Sequence, residues 1–473
     1  MENLKKTKII CTISDRRCEP EFIKALYENG MNVVRINSAH TSIESSSKIA
    51  DNVRKVSDKI AILIDTKGPE IRLTTMTPES GVKVKTGDIV SFKDDVNGIS
   101  CEDCFFTNYK NFSQDIPVGA EILIDDGDAS FIVKEKKDRE LICVAGNDST
   151  IKGKKSINVP GVSIKLPSLT ERDKEFILWA IDYDLDFVAH SFVRSAKDLE
   201  EINNIIRDRK SHLKIISKIE NQEGVDNITE ILEDSYGIMI ARGDLGIEIP
   251  AEKIPIIQRD IVNKCRLRKR PVIVATQMLH TMIENPRPTR AEISDVANAI
   301  FEYTDAIMLS GETASGKYPI EAVQTMSKVA REIEAHHAPS IDLALTNVTE
   351  PISVILAKSI VEASINLPMK CIVIDTTSGR TGRYLSAFRP NIPIFADCYS
   401  EPVQRMLALS YGIYCEVVEN VHSKDNFVKR SVNTLYDKKL VDKSSMIGVL
   451  AGSFGATTGA SFIEIATVTN LIK

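Results

Sequence analysis

The sequence predicts an α/β fold: a (β/α)8 barrel with a small β-barrel lid inserted into it, followed by a separate αβα domain. Three observations carry this expectation. First, eight short apolar runs recur with helix-like segments between them: TKIICTI (7–13), MNVVRIN (31–37), IAILIDT (60–66), LDFVAHSF (185–192), LKIISKIE (213–220), YGIMIARGD (236–244), PVIVATQM (271–278) and DAIMLSGE (305–312). Continuous Val/Ile/Leu runs alternating with helical stretches mark parallel strands buried on both faces. An open doubly wound sheet would alternate too, but eight units is the number that closes a barrel. Second, the runs end in residues with chemistry: Arg35 and Asn37, Asp65, Ser191, Lys218 and Glu220, Arg242 and Asp244, Thr276, Glu312. In a barrel these strand ends converge on one mouth. A single polar end is an ordinary loop-facing residue; seven together point to a site. Third, the regular spacing breaks once, between Thr66 and Leu185.

Each element follows from residue type. Residues 1–70 carry the first three runs and, with 159–340, would form the barrel. In the gap the pattern changes to short alternating stretches and turns, GVKVKTGDIVSF, AEILIDDGDASFIV and RELICVAG. A period of two is that of half-buried strands. It predicts a small all-β unit over 71–158, set at the mouth, where a hinged insertion can close as a lid. After residue 340 a second series begins. CIVIDT, IPIFAD and GIYCEVVE read as strands, EPVQRMLALS and NFVKRSVNTLYDKKL as helices, and MIGVLAG with FIEIATV close the chain. This makes 341–473 a separate αβα domain.

Bulk properties narrow the function. The 473 residues, 43% hydrophobic and 27% charged, suit a soluble globular protein of several domains. Lys and Arg total 60 against 66 acids, a net charge of −6 that argues against a nucleic-acid or anionic-membrane partner. The start, MENLKKTKII, lacks the apolar core of a signal peptide, and no apolar stretch approaches a membrane span. A cytoplasmic location is expected. Nine scattered cysteines, an odd count without a signal, fit reduced thiols. Cys101 and Cys104 form one CxxC, without the second ligand pair of a zinc site or the strand of a thioredoxin-like motif.

At the predicted mouth, Glu220 ends one strand and Asp244 the next, so the two carboxylates could share a hard cation such as Mg²⁺. Lys218, two residues before Glu220, leaves the same strand face. An ammonium there could stabilise an enolate or a transferring phosphoryl group. Arg35 and Arg72 are candidate phosphate clamps. A buried ion-pair network filling the barrel is the alternative reading of the same cluster. The seven histidines include no HExxH, and no GxSxG elbow occurs. His40 lies just beyond a strand end. LSGETASGKYP (309–319) nearly matches a P-loop, but Tyr318 stands where the Mg²⁺-binding hydroxyl belongs. Pro319 suits the first turn of a helix, so the stretch reads as the last βα turn, with Lys317 at the surface. TTSGRTG (376–382), between a strand and a helix, is either a phosphate-binding loop or a polar βα turn with an N-cap. The glycines of 452–461 are expected to form a loop facing it.

These motifs resemble the pyruvate kinase family almost end to end. The match runs through MNVVRIN, IDTKGPEIR, IISKIENQEG, IMIARGDLGIEIP, ATQML, PRPTRAEISDVANAI and IMLSGETASGKYP, with KSINVPG and LPSLTERD marking the return from the insertion. The resemblance implies a glycolytic kinase transferring phosphoryl from phosphoenolpyruvate to ADP, giving pyruvate and ATP. By similarity, Glu220 and Asp244 would hold Mg²⁺ or Mn²⁺, and Lys218 would stabilise the phosphoryl group and the enolate. Gly243, Asp244 and Thr276 would receive the substrate carboxylate, with Thr276 relaying a proton. Arg35 would meet the substrate, and Arg72, His40 and Lys155 the nucleotide side. Asn37, Asp65 and Thr66 would hold K⁺. Thr376, Thr377, Ser378, Gly379, Arg380 and Thr381 would bind the phosphate of an allosteric effector, and a homotetramer is implied.

The chain departs from the family pattern at several points. Ala39 replaces an expected serine of the K⁺ site, so water or Ser38 would have to supply the oxygen. Glu70 in KGPE resembles members that depend on K⁺, whereas a Lys there can supply the charge internally. ISDRRCEP replaces a Gly-Pro turn after the first strand, and Lys165 replaces an Asp near the lid hinge. The sequence ends before the extra C-terminal domain that some bacterial members carry. Two other readings share the fold: a catalytically silent sugar-phosphate sensor, and a Mg²⁺-dependent barrel lyase or aldolase acting on pyruvate-like substrates. The sensor has no need of the metal–lysine cluster. The lyase has no use for the lid or for DTKGPEIR.

Overall fold

A computed structural model describes residues 4–346, 348–419, 423–452 and 459–473. Eight parallel strands close a barrel: β1 (Lys8–Thr12), β2 (Val33–Asn37), β3 (Ala61–Asp65), β4 (Phe187–His190), β5 (Lys214–Ile219), β6 (Gly237–Ala241), β7 (Val272–Ala275) and β8 (Ala306–Leu309). Each pairs with its sequence neighbour, and β8 returns to β1 through Lys8↔Ala306 and Cys11↔Leu309. All eight apolar runs are barrel strands, and the open-sheet alternative falls.

Alternation along each strand sorts the side chains. Ile10, Val33, Leu63, Phe187, Ile216, Met239, Ile273 and Met308 belong to one buried cluster, which the alternation directs into the lumen. Their neighbours Ile9, Val34, Ile62, Val188, Ile215, Ile238, Val272 and Ile307 pack outward in a second cluster with helical residues such as Leu26, Val53, Phe176 and Val323. The same alternation brings Arg35, Asn37, Asp65, Lys218 and Glu220 inward at the strand ends. Polar chemistry therefore forms the top layer of an otherwise apolar lumen.

The helix Glu171–Asp182 opens with a capping box between Thr170 and Asp173. Asp173 also accepts from Lys67 N at 3.0 Å, which ties the turn after β3 to that helix. Gly68 in this turn has φ +70°, and a Cβ there would sit 2.7 Å from the Phe192 ring and 2.8 Å from Ser191. Only glycine fits that approach.

The insertion leaves the barrel at Ile71–Arg72 and returns at Ser156–Asn158, two strands that pair with each other (Arg72↔Ser156, Ile71↔Ile157). They belong to a seven-stranded sheet whose other five strands lie between them in the chain, together with a two-stranded ribbon. Their core is a phenylalanine cluster: Phe92 meets Phe105 and Phe131 edge to face at 5.3 and 5.4 Å. Such pairs add ~0.5–1.5 kcal/mol each beyond area burial. Cys101 and Cys104 face each other across a tight turn, bonded Cys101 N to Cys104 O at 2.8 Å. They are ordinary free thiols at the start of a short strand.

The C-terminal sheet runs β11 (Ile413–Val417), β10 (Ile394–Cys398), β9 (Met369–Thr376), β12 (Met446–Gly452), β13 (Ala460–Thr467), with only β13 antiparallel. Apolar residues of this domain, Tyr384, Phe388, Met406 and Ile413, share a cluster with the barrel lumen. Buried ion pairs cross the same junction. Arg405 meets Asp186 at 2.6 Å and Arg389 meets Asp305 at 2.7 Å. The C-terminal domain thus closes the barrel's N-terminal end, and the polar mouth faces the other way. No described helix is long and apolar enough to cross a membrane.

Candidate active site at the barrel mouth

Lys218 is the hub of the mouth. Its Nζ lies 3.1 Å from Asp65 and 2.9 Å from Glu220, and donates to Ser191 Oγ at 2.8 Å. Asp65 also accepts from Arg35 Nε at 2.7 Å. One carboxylate from β3 therefore bridges cations from β2 and β5. Burial works against the charge on Lys218, but Asp65 and Glu220 outweigh it and hold the ammonium above its ordinary range. Burial likewise opposes ionisation of Asp65, and Arg35 with Lys218 reverses the effect, leaving its pKa lowered.

The second carboxyl pair behaves differently. Burial, and then the Glu220 carboxylate beside it, push Asp244 up to about 7. Glu220 Oε2 accepts from Phe192 N at 2.7 Å. Its Oε1 is buried and takes no well-angled hydrogen bond among the described residues, despite the nearby ammonium. A buried carboxylate beside a partly buried one is the donor set that a hard divalent cation satisfies. No cluster of three or more His, Cys, Asp or Glu among the described residues forms a complete cage. The pair would therefore leave coordination positions to small ligands, as suits Mg²⁺.

Thr276 and Gly243 meet across β6 and β7. Gly243 N donates to Thr276 Oγ1 at 2.7 Å, and that hydroxyl donates to Ala275 O at 2.7 Å. Thr276 has φ 68° and Gln277 φ 54°, a left-handed pair that a β-branched residue adopts only under constraint. The constraint is Arg242, whose Nη2 donates to Thr276 O at 2.9 Å while its guanidinium grips Asp295 at 2.7 Å through both nitrogens. Nothing in the residue pattern marks Asp295 as this clamp, nor Asp173 as the anchor of the β3 turn. Both are acids within helices, and sequence spacing does not show what they reach.

Of the remaining candidates, two line a cavity of about 640 Å³ between lid and barrel. Arg72 lines it, held by Glu70 at 2.7 Å and donating to Lys154 O at 2.9 Å. Lys155 lines it, paired with Asp125 at 2.6 Å. His40 ends the turn Ser38–His40 and is exposed, apart from the Lys218 cluster. Asn37 Oδ1 accepts from Ala39 N at 3.1 Å, and Thr66 Oγ1 donates to Ala189 O at 3.2 Å. Ser38 is fully buried, and its Oγ has no hydrogen-bond partner among the described residues.

Two sequence features resolve away from the mouth. In LSGETASGKYP, Glu312 is buried and accepts from Ser310 N at 2.7 Å and Leu279 N at 3.1 Å, so it braces the turn. Lys317 is exposed and pairs with Glu284, and Pro319 opens the helix Pro319–Ala335. In TTSGRTG, Gly379 (φ 72°) donates its N–H to Thr376 Oγ1 at 2.9 Å and leads into the helix Arg380–Ala387. Thr377 and Ser378 are exposed, Thr381 is buried, and Arg380 pairs with Glu350. Residues 453–458 of the loop expected to face it lie outside the described residues.

A mouth with a buried lysine between carboxylates, roofed by an inserted β-sheet, defines a barrel enzyme, and comparisons with known proteins agree. Residues 4–323 match the family described as pyruvate kinase, barrel domain, and residues 355–466 match pyruvate kinase, alpha/beta domain. A pyruvate kinase of Borreliella burgdorferi is 48% identical, covering 99% of this chain and 98% of its own length. One of Bacillus licheniformis is 41% identical, covering 99% of this chain and 81% of its own. A crystal structure of a pyruvate kinase from Cryptosporidium parvum superposes with a TM-score of 0.93 at 33% identity, over 98% of this chain and 96% of that one. The chain belongs to the pyruvate kinase family.

Proposed function

We propose that the chain is a phosphotransferase that moves the phosphoryl group of phosphoenolpyruvate to ADP, giving pyruvate and ATP. The observation that carries this reading is Lys218, a buried ammonium between Asp65 and Glu220, with Asp244 alongside. Transfer of this kind needs charge neutralisation and in-line positioning rather than a covalent intermediate. Lys218 faces the transferring group and then the enolate left behind. Arg35 meets the substrate, oriented by Asp65. The amides of Gly243 and Asp244, with Thr276, receive the substrate carboxylate, and Thr276 relays the proton that converts enolpyruvate to pyruvate. Arg72, Lys155 and His40 line the nucleotide side.

Glu220 and Asp244 would hold Mg²⁺ or Mn²⁺, which when bound supplies Lewis-acid neutralisation of phosphate charge. Asn37, Asp65 and Thr66 would hold K⁺. The orphaned hydroxyl of Ser38 makes it our choice for the oxygen that Ala39 lacks. The effector phosphate would sit on Thr376–Thr381, and residues 1–70 with 159–340, 71–158 and 341–473 act as the three working units. Homotetramer assembly fits the apolar side chains Ile352 and Ile355, 66% and 63% exposed on one helix. The test is pyruvate formation from phosphoenolpyruvate and ADP, with and without Mg²⁺ and K⁺. No ADP-dependent pyruvate under any ion condition would sink the proposal.

A further inference from the structure

A second concentration of charge lies at the opposite end of the barrel, where it meets the C-terminal domain. Arg266, Lys269 and Arg270 come from the helix Ile254–Leu267 and the turn before β7. Arg383 and Arg389 come from the helix Arg380–Ala387 and the residues after it. Together they line one recess, whose only acid among the described residues is Asp305. That acid is already committed: it pairs with Arg389 at 2.7 Å and accepts from Tyr411 N at 3.1 Å and Val272 N at 3.2 Å.

Two of the cations, Arg266 and Arg383, are under-satisfied. Arg266 is only 4% exposed, yet its Nε has no hydrogen-bond partner among the described residues. Its Nη2 reaches Ala387 O at a long 3.5 Å, and its guanidinium stacks 4.1 Å from the Tyr303 ring centroid. Arg383 lies 5.3 Å over the Tyr236 ring, and its Nε is likewise buried without a partner. Neither forms an ion pair among the described residues. A buried guanidinium with open donors is costly unless an anion meets it. Burial, and then the neighbouring Arg389, push Arg266 down to about 9. Burial, with Arg270 and Arg383 nearby, takes Lys269 to about 8.

We propose that this recess binds a small tetrahedral oxyanion, either inorganic phosphate or the phosphate of a small phosphomonoester, and that the bound anion ties the barrel to the C-terminal domain. Forked guanidinium donors from both sides match phosphate oxygens. The recess is far smaller than the cavity at the mouth, which suits one small oxyanion and not a nucleotide. Arg383, only partly buried, is the donor of the recess nearest to solvent among the unpaired guanidiniums. The site is separate from the TTSGRTG loop, which sits at the other end of the same helix.

The test is the melting temperature of the full chain titrated with inorganic phosphate, against chloride at matched ionic strength. A saturable rise is expected in the wild type. It should persist in Ser378→Glu, whose added charge repels anions from the TTSGRTG loop. In Arg383→Gln and in Arg266→Gln, half-saturation should weaken by about tenfold or more, the scale of one lost charge-assisted bond. Pyruvate-forming activity reports whether each variant is folded. Methyl phosphate as a second probe separates the sources: an equal rise means that an esterified phosphate enters, and no rise means that only the free ion does. No saturable rise over chloride, or wild-type half-saturation in folded Arg383→Gln and Arg266→Gln, overturns the proposal.

Discussion

Replacing Lys218 by Met removes an ammonium while keeping most of the stem. Lys218 is 9% exposed and touches Asp65 at 3.1 Å, Glu220 at 2.9 Å and Ser191 at 2.8 Å. Breaking a buried ion pair by deleting one partner costs ~3–5 kcal/mol. Here Asp65 keeps Arg35 at 2.7 Å and Glu220 keeps Phe192 N at 2.7 Å, so the loss should fall near ~3 kcal/mol. The catalytic loss is a separate quantity. Removing one preorganised group aimed at developing charge lowers kcat by ~10²–10³, or ~2.7–4 kcal/mol of barrier. The assay couples pyruvate formation to a chromogenic reduction, with phosphoenolpyruvate binding followed by equilibrium titration in parallel. Turnover should collapse while binding changes little, since Arg35, Gly243, Asp244 and Thr276 remain. A folded Lys218→Met enzyme with kcat within about threefold of wild type, far from the loss such a group carries, would refute the reasoning.

Four further outcomes are expected. Glu70→Lys should reduce the dependence of the initial rate on K⁺, and Ser38→Ala should raise the K⁺ concentration for half-activation; an unchanged K⁺ response in either removes that residue from the site. Asp186→Asn, which weakens the buried contact to Arg405 at 2.6 Å and the Arg54 contact at 3.2 Å, should lower unfolding stability by ~3 kcal/mol in a denaturant titration and leave kcat unchanged. His337 supplies a pH prediction: burial pushes its pKa from the ordinary 6.5 down to about 4. The unfolded chain therefore binds a proton that the folded one refuses. Stability is full above pH 6.5 and is lost as pH falls from 6.5 towards 4, by ~2 kcal/mol from this group. His337→Gln should flatten that acid limb in melting curves at stepped pH.

The barrel was legible because parallel strands buried on both faces leave uninterrupted Val/Ile/Leu runs, and the insertion because its period switches to two. The inward direction of Lys218 and Glu220 followed from their spacing of two on one strand. The links between strands did not. That Asp65 joins Arg35 to Lys218, that Asp295 holds Arg242 and hence the strained Thr276, and that Asp173 anchors the turn after β3 are long-range contacts between residues that look ordinary in their own segments. Glu312 illustrates the converse. Its strand-end position suggested a mouth residue, yet two backbone N–H groups claim it as a brace.

The pairing of Ile71–Arg72 with Ser156–Asn158 has a consequence for how this chain could have been assembled. Exit and re-entry of the insertion run side by side, so the barrel needs only the short span of a turn at that corner, however long the excursion beyond it. The entropy of closing the loop is met once, at a stem the insertion itself supplies. An ancestor without the roof could have carried a tight turn in its place. The same corner is where a foreign domain could be exchanged for the natural one with the eight-stranded body left in register.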